Sequence, residues 1–208
     1  MKKLLCIALC VCALVLSISA CGTDKAAIPH GNVSATDLTD SQAQEIMAVI
    51  VPRQFEIFTL FNGDVDTDAT KTCPLDKNYV LVTDERFNSV QEIKEYVLKT
   101  MTWEAAQKEY FDRRLSDKPN PDDDGENRFI DYEGKLYFGE FSGSGFAYEM
   151  RPETTRIIER TENTVKVEMN TLYSGEDDGW LYTPTLVKTK DGWRVDCSIQ
   201  ANEGRYYK

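Results

Sequence analysis

The C-terminal half of the chain most constrains the fold, because strand-like segments alternate there with short turns. Residues 155–160, 164–173 and 181–189 are rich in β-branched and aromatic side chains. A fourth such segment, 193–199, follows the turn Lys190-Asp191-Gly192. Parallel strands need a long crossover connection between them. Connections this short therefore predict an antiparallel meander.

A tight hairpin is predicted before the meander. Residues 128–132 and 135–138 have strand composition and flank Glu133-Gly134, where the glycine can take a positive φ. Residues 139–145 contain three glycines and loosen the chain, and residues 116–127 combine two prolines with three consecutive aspartates. We expect both of these segments to be surface loops.

The first predicted helix begins near residue 39. Residues 39–44 contain two overlapping capping boxes, and an apolar spacing of three to four residues then continues to Phe61. Pro52 interrupts this spacing, so we expect a kink or a restart near Val51. The acidic segment 64–74 predicts an irregular connection, and 78–83 predicts a short strand.

Two further helices are predicted before the loop at 116–127. Residues 89–92 form a capping box, and the apolar residues from Val90 to Met101 fall on one helical face. Thr102 can cap the next helix, in which Trp103, Ala106 and Tyr110 share a stripe that is expected to face the core. N-terminal helices packed on a curled antiparallel meander, formed mostly by the C-terminal half, make an α+β fold. We expect a single domain over residues 38–208.

The N-terminus has the three parts of a secretory signal: two lysines, the uncharged apolar run 4–16, and small residues before a cysteine. Ile18-Ser19-Ala20-Cys21-Gly22 resembles the lipobox of bacterial lipoproteins, which predicts a signal over 1–20 and lipid on Cys21. An ordinary signal cleaved after Ala20 is the alternative. Either way the folded part works outside the cytoplasmic membrane, and the lipoprotein interpretation anchors it to the outer face of that membrane.

Composition predicts a tether after the signal, and net charge limits the class of partner. The segment 21–37 is small, polar and without apolar period, so it predicts a flexible tether. The chain carries 35 acidic and 24 basic residues, a net charge of −11. Such a surface repels nucleic acid and would attract a basic protein surface, so we expect no nucleic-acid partner.

Two cysteines, Cys73 and Cys197, remain after the signal and the lipidation site are set aside. Outside the cell a disulfide between them is the natural expectation, and two buried free thiols are the alternative. Neither fits a nucleophile, because the single histidine of the chain, His30, lies in the predicted tether. One histidine in the predicted tether and two distant cysteines also argue against a zinc site.

The remaining chemical motifs are weak. Gly143-Ser144-Gly145 lacks the spacing of a nucleophile elbow and has no histidine base in the domain. A carboxylate pair of the glycosidase type is possible in principle, but carboxylates in an acidic chain mostly form a solvated face. The oxygen-ligand spacing of a helix–loop calcium site is matched in part, and an acidic turn is the alternative. The candidate calcium ligands are Asn120, Asp122, Asp124 and Asp131. We therefore expect no catalysis, no cofactor and no metal.

Four stretches resemble the extracytoplasmic IseA-type inhibitors of peptidoglycan DL-endopeptidases. They are the turn and strand at 134–137, the hairpin at 155–173, the terminal 186–196 with its Lys-Asp-Gly-Trp turn, and the helix at 87–97. A strand, this turn and a strand also recur in cone-shaped α+β domains of the nuclear-transport-factor type. The family resemblance implies a secreted protein that binds and blocks wall-cleaving cysteine endopeptidases without doing chemistry. It transfers no inhibitory residue individually.

An inhibitor of this kind needs a rigid scaffold that presents loops to a cleft. The candidate loops are 116–127, 139–145 and 174–180. Their candidate binding residues are Asp122, Asp123, Asp124, Ser142, Ser144, Asp177, Asp178 and Trp180. The alternative is a binding module whose curled sheet encloses a pocket for a small molecule or a wall fragment. Its lining would be Tyr137, Phe146, Tyr148 and Trp180.

Overall fold

The computed structural model describes residues 27–116, 127–139, 147–200 and 204–206 of the chain. It confirms the α+β class, with helices in the N-terminal half and a strongly curled antiparallel half-barrel in the C-terminal half. The helices are α1 (Asp40–Phe61), α2 (Val90–Leu98), α3 (Trp103–Ala106) and α4 (Asp112–Arg114). A π-helical turn, Gln107–Phe111, joins the last two, and a 3₁₀ turn spans Pro152–Thr154.

The strands form two sheets. The first has the order β1-β2-β5-β4-β3 and is antiparallel except for the parallel pair β3 and β4. It consists of β1 (Thr67–Thr72), β2 (Tyr79–Val82), β3 (Leu115–Ser116), β4 (Phe129–Tyr132) and β5 (Lys135–Gly139). The second consists of β6 (Tyr148–Met150), β7 (Arg156–Arg160), β8 (Thr164–Tyr173), β9 (Trp180–Tyr182), β10 (Thr185–Thr189), β11 (Gly192–Val195) and β12 (Gly204–Tyr206).

Helix α1 begins as the capping box predicts. Thr39 accepts a hydrogen bond from the Gln42 amide, and the Gln42 side chain accepts one from the Thr39 amide. The predicted restart near Val51 is absent, because the helix continues through Pro52 to Phe61. Ten residues on both sides of the proline are buried on one face. Burial of each large apolar side chain contributes about 1.5–3 kcal/mol, which together offsets the roughly 3 kcal/mol cost of an internal proline.

Strand β1 lies in the segment that was predicted to be irregular. Its six residues are almost all exposed, so no apolar alternation marks it in the sequence. Backbone pairing with β2 holds it, from Thr67 opposite Val82 to Thr72 opposite Val80, with a register shift between. A polar edge strand of this kind has no hydrophobic period to predict it.

The third helical segment differs from its predicted stripe. Ala106 and Tyr110 are buried, whereas Trp103 is 52% exposed. The π-helical turn shifts the helical phase by one residue, which brings Tyr110 and Phe111 together to the core. Trp103 is left largely exposed and packs edge-to-face with Phe111, with 5.6 Å between ring centroids.

The second sheet is the predicted meander with interruptions. Strand β8 runs unbroken at its centre, with β7 and β6 paired in succession along one edge and β10 and β9 along the other. The predicted strand 181–189 is therefore divided at Thr183-Pro184, although the Val167 amide still donates to Pro184 O across the break. Proline lacks the donor that a continuous ladder needs, which explains the division.

The predicted disulfide is wrong, because both cysteines are free and buried in separate clusters. Cys73 packs with Tyr79, Ile130 and Tyr137 against the first sheet. Cys197 belongs to the main core. The alternative of two buried thiols holds.

The described part of the predicted tether, residues 27–37, packs on the domain. The Trp193 indole N–H donates to His30 O at 3.0 Å, Lys188 donates to Gly31 O, and Ala35 is fully buried. This segment has no apolar period, yet it covers the Trp193 edge of the second sheet. Residues 1–26, with the predicted signal and Cys21, lie outside the described residues. Within the described ranges no helix has both the length and the apolar character needed to span a bilayer.

Candidate functional site

The turn between β8 and β9 is the one predicted binding loop that the structure describes in full. Tyr173 and Glu176 exchange backbone hydrogen bonds at 2.8 and 3.0 Å, and Ser174 has a positive φ of 51°. Asp177 accepts from the Gly179 amide at 2.9 Å, and Asp178 accepts from the Trp180 amide at 3.0 Å. The two predicted binding aspartates therefore hold the shape of the turn as well as carrying its charge.

An aromatic cluster lies beside this turn. Tyr148 on β6 contacts Tyr173 on β8, with ring centroids 5.2 Å apart, and its hydroxyl donates to Asp178 at 3.4 Å. Tyr173 is 48% exposed. Trp180 is half-buried. Its indole ring lies so close to Gly204 that a Cβ at position 204 would overlap it.

Two sets of contacts involve the described ends of the other two predicted loops. Tyr79 donates to Asn127 O at 3.1 Å and pairs with Gly139 in the first sheet, so it contacts one end of each loop. The Ser174 amide donates to Ala147 O at 3.2 Å, which ties the other end of the second loop to the turn. We call the residues joined to the turn by described contacts, namely Ala147, Tyr148 and 173–180, the loop rim.

The remaining predicted loop residues, Asn120, Asp122, Asp123, Asp124, Ser142 and Ser144, lie outside the described residues. Tyr79 was missed by the sequence analysis. Its sequence context is a short apolar strand, which indicates a core residue and gives no signal for a side chain that contacts two loop ends.

Asp131, the remaining calcium candidate, has a structural partner. Its two carboxylate oxygens accept from the Val90 amide at 3.0 and 3.1 Å, at the start of α2. A carboxylate here accepts from a backbone amide that has no partner within the helix, and the positive end of the helix dipole stabilises its negative charge. Among the described residues no group of three or more histidine, cysteine, aspartate or glutamate side chains is arranged to hold a metal ion.

The predicted pocket inside the curled sheet does not form from the described residues. Tyr137 is buried in the first sheet with Cys73, whereas Tyr148 and Trp180 belong to the second. Phe146 lies outside the described residues. The inner face of the second sheet is filled by fully buried side chains: Val165, Val167, Met169, Leu186, Trp193 and Val195.

A cleft of about 930 Å³ lies elsewhere, between α1, α2 and the turn that joins β10 to β11. Its walls include the cationic residues Arg53, Arg86, Lys99, Lys190 and Arg194. Its acidic residues are Glu92, Glu95 and Asp191. We call it the cationic cleft. No spacing in the sequence marks this cleft, because its arginines come from distant parts of a chain whose overall charge is negative.

The two regions lie at opposite ends of β8. The Lys188 amide, next to the β10–β11 turn, donates to Asn163 O before β8 begins, whereas the 173–180 turn follows its last residue. Ten residues of strand separate them, a distance on the order of 30 Å.

A scan against protein-family models and a search of curated proteins found no match for this chain.

Proposed function

We propose that the chain is a non-catalytic, lipid-anchored extracytoplasmic protein that binds and restrains a peptidoglycan DL-endopeptidase through the loop rim. The observation that carries the proposal is the 173–180 turn, which Ser174 ties to the end of the preceding predicted loop at Ala147, beside the exposed ring pair Tyr148 and Tyr173. A surface that fills an enzyme cleft needs several loops presented together on a rigid support.

The rim has the composition of a binding surface. Tyrosine and tryptophan dominate interfaces because they bury much area at little entropic cost. Tyr148 and Tyr173 are in ring contact here, and Trp180 begins the neighbouring strand β9. Asp177 and Asp178 add negative charge at the edge of the cluster, which would steer the protein toward a basic enzyme surface. Their hydrogen bonds to the turn reduce the ordering cost of binding.

The support behind the rim is densely packed. The inner face of the second sheet is filled by buried side chains, so the aromatic residues stand on a packed core. This arrangement favours a protein partner over a small ligand at this end of the molecule, because a ligand site would be concave.

The class of partner and the location come from the sequence. The resemblance to the IseA-type inhibitors points to a cysteine endopeptidase that cuts wall stem peptides. The lipobox-like sequence at Cys21 would anchor the protein to the outer face of the cytoplasmic membrane, where such enzymes emerge. A change of Cys21 to alanine should release the protein from membranes in a fractionation, whereas retention on membranes would exclude the lipid anchor.

The test of function is a muropeptide digestion assay with the purified DL-endopeptidases of the same organism. At micromolar excess the protein should suppress cleavage by at least one of them, and it should release no muropeptide from wall material by itself. Unchanged cleavage by every enzyme would refute the proposal, and so would hydrolysis by the protein alone.

A further inference from the structure

The cationic cleft has no role in the function proposed above. We propose that it is a binding site for a small organic anion with two or more negative charges, such as a phosphate ester or a dicarboxylate. The proposal does not depend on the inhibitor function, since the cleft lies at the other end of β8 from the loop rim.

The charge of the cleft departs from that of the whole chain. The chain has a net charge of −11, whereas the lining has five cationic and three acidic side chains. Two of those acids are engaged locally: Glu92 accepts from the Asn88 amide at 2.6 Å, and Glu95 accepts from Gln91 at 2.9 Å. Asp84, which lies outside the lining, compensates Arg86, and the remaining surplus of positive charge would attract an anion.

Arg53 of α1 and Arg194 of β11 both line the cleft and are both half-buried. Backbone carbonyls hold Arg194, which donates to Leu98 O at 2.7 Å and to Trp193 O at 2.8 Å. Burial lowers the pKa of Arg194, Asp191 raises it in part, and the charge of Arg53 lowers it. Burial also lowers the pKa of Arg53. An anion between the two guanidinium groups would relieve their repulsion and accept their hydrogen bonds.

The opposite wall is stiff and partly aromatic. Arg86 forms a forked ion pair with Asp84, at 2.9 and 2.6 Å, and lies over the Phe87 ring at 5.3 Å. Phe87 packs edge-to-face with Tyr96, with centroids 5.3 Å apart. The Tyr96 hydroxyl donates to Glu56 at 2.6 Å. The half-buried Tyr96 ring, supported from behind by the buried Phe87, gives the organic part of a ligand an apolar surface beside the cations.

The size of the cleft decides between an inorganic ion and a larger molecule. Its volume of about 930 Å³ is at the upper end of the roughly 300–1,000 Å³ found for small-molecule sites. A bare ion would leave most of this space to water. The volume of the cleft, its aromatic wall and the guanidinium groups of Arg53 and Arg194 therefore fit an organic dianion better than an inorganic ion.

The experiment is a calorimetric titration of the full protein with inorganic phosphate, glycerol 3-phosphate, succinate, acetate and vesicles containing phosphatidylglycerol. We expect a saturable response to at least one dianion and a much weaker one to acetate. Arg53→Gln should weaken that binding by about tenfold or more, because a charge-assisted contact is removed. Arg151→Gln is the matched control, since Arg151 is an exposed arginine that pairs with Glu153 outside the cleft.

The outcomes separate the sources of the anion. Selective binding of glycerol 3-phosphate or succinate supports the proposal and names the class of anion, and binding of vesicles alone assigns the anion to a lipid headgroup. Absence of dianion and vesicle binding would overturn it, as would equal affinity in the Arg53→Gln and Arg151→Gln proteins. If Arg53→Gln fails to fold, Lys99→Gln with Lys190→Gln serves in its place, because both lysines are exposed.

Discussion

The loop rim and the cationic cleft occupy opposite ends of β8 and differ in shape and in the sign of their charge. The rim is aromatic and acidic, is built on turns, and follows the last residue of β8. The cleft is cationic and concave, and helix α1 and strand β11 supply its two half-buried arginines. The difference shows that a net charge of −11 constrains only the average surface. One chain can offer a protein-binding end and an anion-binding end at the same time.

The tryptophans at the two ends should differ most in how much each contributes to the stability of the fold. Trp193, beside the cleft, is fully buried and bonded to His30 O, whereas Trp180 at the rim is half-buried. Trp193→Ala should lower the unfolding free energy by about 3–5 kcal/mol, the usual cost of such a cavity. Trp180→Ala should cost markedly less. Urea unfolding of both variants measures this, and equal losses would contradict the packing described.

A buried polar link joins α1 to the second sheet between the two ends. Gln54 donates to Cys197 O at 2.7 Å, and the Tyr182 hydroxyl lies 3.2 Å from Cys197 Sγ. Burial raises the pKa of Tyr182 well above its usual value, so this hydroxyl stays protonated. Gln54→Ala should cost about 1–3 kcal/mol, because the Cys197 carbonyl loses its partner in the core. Gln54→Glu is the isosteric comparison, and an unchanged melting temperature for the alanine variant would exclude this link.

The cleft wall should respond to pH through Asp84. The hydrogen bonds from Arg86 hold the pKa of this carboxyl below its usual value of 3.8, against the opposing effect of burial. A depressed carboxyl pKa stabilises the fold above the unfolded-state value, and this contribution is lost as the pH falls through the folded-state value. Stability should therefore drop below about pH 4, by roughly 1 kcal/mol for this partly exposed pair. In Asp84→Asn that part of the pH dependence should vanish. The same loss of stability at low pH in this variant and in the wild type would contradict the role of Asp84.

Asp131 connects the first sheet to α2, the helix that forms one wall of the cleft. Asp131→Ala should lower the unfolding free energy by about 0.5–2 kcal/mol, since the Val90 amide at the helix start loses its acceptor. Calcium should leave the melting temperature of the wild type unchanged if Asp131 acts only as this cap. A rise in melting temperature with calcium, abolished in the variant, would restore the metal-site interpretation.

The smallest expected effect is that of a reductant. Cys73 and Cys197 are free and belong to separate clusters, so dithiothreitol should not change the melting temperature. A bridge closing a loop of this length would contribute roughly 4–5 kcal/mol. Loss of stability on reduction would therefore show that the two thiols had paired.

Several elements of the fold were predictable because a local signal specifies them. The Thr39 capping box, the hairpin at Glu133-Gly134 and the strand Thr164–Tyr173 all appear where the sequence places them. The Glu133-Gly134 turn has positive φ at both residues, as a tight hairpin requires. Strand β1, by contrast, has no apolar alternation, because only backbone pairing holds it.

The two candidate surfaces were predictable to different degrees. Turn residues such as Asp177 and Asp178 carry their own signal, so part of the rim could be found from sequence. The cleft joins Arg53, Arg86 and Arg194 across long sequence distances, and no spacing or composition marks such a set. The exposure of Trp103 was equally hidden, since it shares a helical spacing with the buried Ala106 and the sequence does not mark which end of that stripe the core covers.

The inhibition constant against the most sensitive DL-endopeptidase, measured for three proteins, tests the role of the loop rim most directly. Tyr173→Ala removes an exposed aromatic side chain at the rim, and Trp103→Ala removes one of similar exposure on α3. We predict that Tyr173→Ala weakens inhibition about tenfold or more, as loss of an interface anchor does, while Trp103→Ala inhibits like the wild type. Equal inhibition by Tyr173→Ala and the wild type, or a loss confined to Trp103→Ala, would contradict the assignment of the rim.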